Sequence, residues 1–150
     1  MINLANGDNV SQLAYEAAVY REQLRLIQKE IERISITNID LVNAAKTTEQ
    51  LKNGEVLVPI GAGSFISANT HTTKILVPVG ANYLLEMEKE HASVEINKRI
   101  DATKNAVEKL NDEFNKISIR LNEMNMRLNE MQKQNAINKR VDENIGEDYV

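Results

Sequence analysis

From Val10 the apolar residues step forward by three, four, three, four: Val10, Leu13, Ala17, Tyr20, Leu24, Ile27, Ile31, Ile34, then Asn38, Leu41 and Ala45. That spacing keeps one stripe of an α-helix apolar, which is the seam of a coiled coil. It predicts a helix over about 9–53, opened by Asp8, Asn9 or Ser11 as a cap and stopped at Asn53-Gly54, with Lys46 and Lys52 at the negative end of its dipole. Asn38 puts a polar group into the seam. It reads either as a buried amide that fixes register or as a partly solvated one near the sheet. A second stripe, Ile96, Ile100, Thr103, Val107, Leu110, Phe114, Ile117, Leu121, Met124, Leu128 and Met131, predicts a helix over about 85–138. At about 1.5 Å per residue the two helices are roughly 60 and 75 Å long. Matching them as an antiparallel pair sets Ala45 near Ile96 and Leu13 near Leu128. Residues 1–7 have no period and read as a mobile arm, and 139–150 read as a flexible tail.

Between the stripes the pattern changes. Val56-Leu57-Val58-Pro59-Ile60-Gly61-Ala62 is answered by Ile75-Leu76-Val77-Pro78-Val79-Gly80-Ala81, an internal repeat of strand and turn. Each copy begins with β-branched and aliphatic residues and breaks at a glycine that can take a positive φ for a tight reversal. Two β-hairpins are therefore expected over about 55–84. Pro59 and Pro78 cannot donate to a ladder, which confines them to edges or bulges. So short a sheet, with apolar residues on both faces, is marginal by itself. A neighbouring subunit is expected to cover it, through Val56, Val58, Ile60, Phe65, Ile66, Ile75, Val77, Val79 and Leu84. The fold class is mainly α with a small β region, an antiparallel two-helix coiled coil joined by two β-hairpins in a single domain over 1–150.

Composition narrows the function more than the fold. With 4 Tyr, 2 Phe and no Trp, and with 27% of residues charged, the chain suits extended helices with a narrow seam better than a large core. The absence of cysteine removes disulfides and thiolate metal sites and fits a reducing cytoplasm. No apolar run reaches the length of a signal peptide or a membrane span. A net charge of −4 argues against general affinity for nucleic acid. Gly61-Ala62-Gly63 precedes a strand, whereas a phosphate-binding glycine loop must open a helix. His71 and His91 stand without cysteines or suitably spaced carboxylates, so no metal, cofactor or catalytic group is expected, and the chain does not read as an enzyme.

At the end of the expected rod away from the hairpins, Ile2, Leu4, Val10 and Leu13 meet Met124, Met126, Leu128, Met131 and Ile137. Ile119 and Met126 fall outside the seam, where solvent is expected. Methionine is flexible and polarizable and suits surfaces that accept many shapes. These residues are the candidates for binding apolar partners, although Met124, Leu128 and Met131 also finish the seam.

The chain resembles the α class of prefoldin subunits over nearly its whole length. Val56-Leu57-Val58-Pro59-Ile60-Gly61-Ala62-Gly63 and Val77-Pro78-Val79-Gly80-Ala81-Asn82 are similar to the family's Leu-Val-Pro-[Ile/Val]-Gly-x-Gly and Val-Gly-x-Gly signatures. Asn82 replaces a usual glycine and Pro78 is uncommon there, which points to a specialised or divergent member. The resemblance implies an ATP-independent chaperone subunit of a hexamer with two α and four β subunits, in which the hairpins complete small β-barrels. It also implies that unfolded clients are held at the coiled-coil tips and passed to a group II chaperonin. The alternative is an α-type subunit that assembles with itself into homo-oligomers or filaments, as a holdase or scaffold. No membrane or nucleic-acid partner is implied.

Overall fold

The computed structural model describes residues 4–71 and 73–147, with side chains over 7–71 and 73–141. Helix α1 spans Leu4–Gln50 and α2 spans Lys89–Glu147, with β1 (Gly54–Gly61), β2 (Ser64–Thr70), β3 (Ile75–Gly80) and β4 (Tyr83–Met87) between them. The order is as the periodicity predicts, and the boundaries differ. α1 begins five residues before the expected cap at 9 and runs through Gly7. One internal glycine costs about 1 kcal/mol, and a helix already nucleated gains a hydrogen bond for each residue added. For the same reason α2 continues past 138 through Lys139, Arg140 and Val141, so 139–147 is helix rather than tail. At the other junction Leu85, Glu86 and Met87 are strand, not helix, because Leu85 pairs with Val77 and Met87 with Ile75.

The chain divides into two compact units, residues 1–32 with 108–150, and residues 33–107. In the first, α1 and α2 pair antiparallel through the expected seam. Ala17 is fully buried and Ile117 is buried, while Leu13, Tyr20, Leu24, Leu121, Met124 and Leu128 are half-buried, as two helices alone can only partly cover a stripe. The Arg21 guanidinium donates to the Asn125 side-chain oxygen at 3.2 Å across the pair. Leu13 shares a small cavity with Arg127 and Met131, which lie on either side of the expected Leu128.

In the second unit Ala45, Ile96 and Ile100 form a buried cluster with Leu41 and Val42 packed on it, the Ala45–Ile96 match that the seams require. Asn38 donates to the Ile100 carbonyl at 3.3 Å and to the Thr103 hydroxyl at 2.6 Å, and that hydroxyl donates to the Ile100 carbonyl at 2.8 Å. Asn38 thus holds a seam station while only half-buried, so it keeps something of both readings, and a shift of either helix would break these bonds. The C-terminus of α1 is capped by Lys89, whose ammonium donates to the Glu49 carbonyl at 2.7 Å and the Leu51 carbonyl at 3.3 Å. Lys46 and Lys52 lie outside the last turn, and the residue that satisfies these orphan carbonyls comes from the start of the next helix.

The hairpins are two separate two-stranded antiparallel sheets, β1-β2 and β3-β4. Each turns on two residues of positive φ, Ala62 (49°) with Gly63 (73°) and Ala81 (46°) with Asn82 (61°), the type I′ geometry that matches strand twist. Asn82 stands where the repeat has Gly63 because asparagine tolerates the left-handed region better than other side chains. The alanines do not, and each costs about 1 kcal/mol there. Ala62→Asn, giving an Asn-Gly turn, is expected to stabilise the hairpin by up to about 1 kcal/mol. Amide hydrogen exchange of β1 and β2 in the isolated chain measures it, with slower exchange expected. Ile60 and Val79 lie at the register shifts beside these turns.

Candidate functional site

Register decides which side chains share a face. In the first hairpin Val56 pairs with Ala68 and Val58 with Ile66, so these lie on one face, whereas Leu57 with Ser67 and Pro59 with Phe65 lie on the other. Both faces are open. Phe65 is 59% exposed, and Leu57, Val58, Ile60 and Ile66 are exposed as well. The hydroxyl of Ser67 donates to the Glu55 carboxylate on the second of these faces.

The second hairpin is used differently. Val77 is only 2% exposed, and with Ile75 it lines a cavity of about 510 Å³ shared with Leu41, Thr48 and Ile96. The Arg99 guanidinium donates to the Pro78 carbonyl, which ties the strand to α2. Of the expected interface residues, Val77 is therefore packed inside its own chain, and Ile75 is half-buried, as is Val56 in the first hairpin. Val79 and Leu84 remain exposed, joined by Leu76, Tyr83 and Leu85, which the alternation argument left out. Leu57, outside the expected set as well, is exposed on the same face as Phe65.

The two-stranded sheets leave each of the four strands with one unpaired edge among the described residues. A row of free backbone donors and acceptors next to exposed apolar side chains is a template for another chain.

In the first unit the expected binding residues separate into two groups. Val10, Leu13, Met124, Leu128 and Met131 are half-buried in the seam. Ile119 (60% exposed), Met126 (64%) and Ile137 (56%) face solvent, as do Tyr15 (71%), Leu26 and Val19, which seam periodicity passes over because they occupy outer heptad positions. Ile2 and the side chain of Leu4 lie outside the described residues. Beside Leu26 on the same helix, Arg25 donates two hydrogen bonds to Glu22 and holds its carboxyl below the ordinary glutamate range. The apolar points thus stand among charges that keep the surface hydrated. No group of three or more His, Cys, Asp or Glu residues that could hold a metal ion occurs among the described residues. No described helix is long and apolar enough to cross a membrane.

The sequence profile of the prefoldin subunit family matches residues 20–134 of the chain, which run from α1 through both hairpins into α2. The chain belongs to the prefoldin family. Its relatives include the prefoldin subunit alpha of Methanococcus vannielii, 32% identical over 100 residues that cover 65% of this chain and 68% of that one. That of Thermofilum pendens is 32% identical over 111 residues, 71% of this chain and 86% of the relative. That of Pyrococcus horikoshii is 29% identical over 110 residues, 69% and 74%. In fold, this prefoldin chain is similar to the filamentous PFD of Methanocaldococcus jannaschii solved by cryo-electron microscopy, with a TM-score of 0.62 and 24% identity over 72% of this chain and 93% of that one.

Proposed function

We propose that this prefoldin chain is an α-type subunit of a cytoplasmic, ATP-independent chaperone, which assembles through its hairpins and captures unfolded proteins on the exposed apolar residues of its first unit. The observation that carries the reading is the first hairpin: both faces are apolar and exposed, and both outer edges are unpaired. A hairpin in that state is marginal in water and is completed by neighbours. The partners are a second α-type subunit and β-class prefoldin subunits, with small β-barrels as the completed form. Held clients are passed to a group II chaperonin.

Capture needs no nucleotide or catalytic group in this scheme. Ile119, Met126, Tyr15 and Leu26 offer dispersed apolar contacts, each weak, and several subunits in one assembly raise the effective concentration for a single client. Assembly of the chain with itself is a second reading, favoured by the strand edges, which pair with any compatible backbone. Native mass measurement of the purified chain, alone and mixed with a β-class subunit, separates the two. A mixed hexamer that suppresses aggregation of an unfolded client is the expected result. A monomer that ignores the partner and protects nothing rejects both.

A further inference from the structure

Asparagine followed by glycine is a step at which a protein chain readily modifies itself, because glycine leaves its own backbone nitrogen unshielded. The sequence has two such steps. Asn6-Gly7 lies in α1, where closing a ring on the main chain means unwinding a turn. Asn53-Gly54 lies where α1 hands over to β1, and both residues are exposed and line an open hollow of about 300 Å³ that admits water. Gly54 takes a φ of 135°, and beyond its chain neighbours no atom comes within 4 Å of where a Cβ would stand. Only hydrogen bonding therefore guards its nitrogen.

That hydrogen bonding comes from Thr70, which stands opposite Gly54 in the β1-β2 register. Antiparallel partners alternate between pairs that exchange both ladder bonds and pairs that exchange none. Pro59 has no N–H to give, so its pair with Phe65 is of the second kind. Counting along the register, the pair of Gly54 with Thr70 is of the first kind, and the Gly54 N–H is held by the Thr70 carbonyl. The Thr70 hydroxyl is 2.8 Å from the Lys52 carbonyl and 3.2 Å from that of Gly54, so it pins the main chain on both sides of the Asn53–Gly54 peptide. That peptide must turn before the Asn53 side chain can meet the next nitrogen.

We propose that Asn53 is a self-modification site whose rate is set by the hydroxyl of Thr70. The Gly54 nitrogen gives its proton to solvent base and attacks Cγ of Asn53. The new N–C bond closes a five-membered succinimide, the Cγ–Nδ2 bond breaks, and Nδ2 takes a proton from water and leaves as ammonia. Water then opens either ring carbonyl, which yields aspartate or, with the main chain rerouted through Cβ, isoaspartate. Isoaspartate adds one carbon to the segment that the Thr70 hydroxyl bridges. Either product also sets a carboxylate just past the C-terminal end of α1, where the helix dipole disfavours it. The modified chain has a looser first hairpin.

The full-length chain is incubated in neutral buffer, and peptide mapping by mass spectrometry follows aspartate and isoaspartate at position 53. Both are expected there, and Asn53→Gln is expected to remove them because a six-membered ring closes far more slowly. Thr70→Val keeps a good strand former and deletes the hydroxyl, and is expected to speed the reaction about fivefold, the factor that one net hydrogen bond supplies. Thr70→Ser restores the hydroxyl and is expected to keep the original rate within about twofold. Ser67→Ala removes the other side-chain bond across this hairpin, to Glu55, and is expected to leave the rate as it was. Amide exchange of β1 and β2 is expected to be faster in the modified chain than in the unmodified one. No product at position 53 even in Thr70→Val overturns the site. Equal rates in the original chain and Thr70→Val, or a rise as large in Thr70→Ser or Ser67→Ala as in Thr70→Val, overturns the control by Thr70.

Discussion

Phe65→Asp is expected to reduce the assembled protein to smaller species while the helical signal in circular dichroism stays within a few per cent of its original value. In the lone chain Phe65 is largely exposed, so the substitution removes little intrachain packing and the two helices have no reason to unfold. In an assembly that covers the hairpin, the same carboxylate is buried among Leu57 and Pro59 of its own face and the apolar groups of the neighbour. Burying an unpaired carboxylate costs several kcal/mol. Even about 3 kcal/mol weakens association roughly a hundredfold. Light scattering at micromolar concentration reads the loss. An unchanged mass would mean that this face meets nothing.

Val77→Asp separates the two hairpins. Val77 occupies the same place in the second copy of the repeat as Val58 in the first, and sequence alone puts both at the interface. The structure buries Val77 over α1 and α2, so Val77→Asp is expected to destabilise residues 33–107 by several kcal/mol and to lower the thermal midpoint before any question of assembly arises. A midpoint like that of the unchanged chain would place Val77 at an interface after all.

That contrast marks where the sequence stops being informative. The three-four step reports which helix positions face a partner, and it located both helices and the Ala45–Ile96 contact because packing acts on that period directly. The repeat likewise announced two hairpins, since type I′ turns demand residues that accept a positive φ. Helix ends were misjudged because Gly7 and Asn9 have weak local preferences that a continuing helix overrides. Leu84-Leu85-Glu86-Met87 has good helix formers and becomes strand only through pairing with β3, a contact absent from the local pattern. The use of one hairpin against its own helices and the exposure of the other depend on tertiary placement. The repeat cannot encode that difference, as its two copies are nearly alike.

The second large effect concerns client binding. Replacing Ile119 and Met126 together by serine is expected to raise several-fold the concentration of assembly needed to suppress aggregation of an unfolded client, with oligomer mass and thermal midpoint unchanged. Both side chains are mostly exposed and sit outside the seam, so serine there alters stability by no more than about 0.5 kcal/mol. Each removes apolar contact worth about 1 kcal/mol to a bound chain. Because several subunits act on one client, the loss is repeated in every subunit that touches it and the effect on avidity grows with their number. Adding Tyr15→Ser and Leu26→Ser extends the test to the outer residues of α1 that seam periodicity does not reveal. If the quadruple variant protects the client no worse than the double, capture is confined to α2. If neither loses protection, the exposed residues of this unit do not bind clients, and capture must be sought elsewhere on the chain.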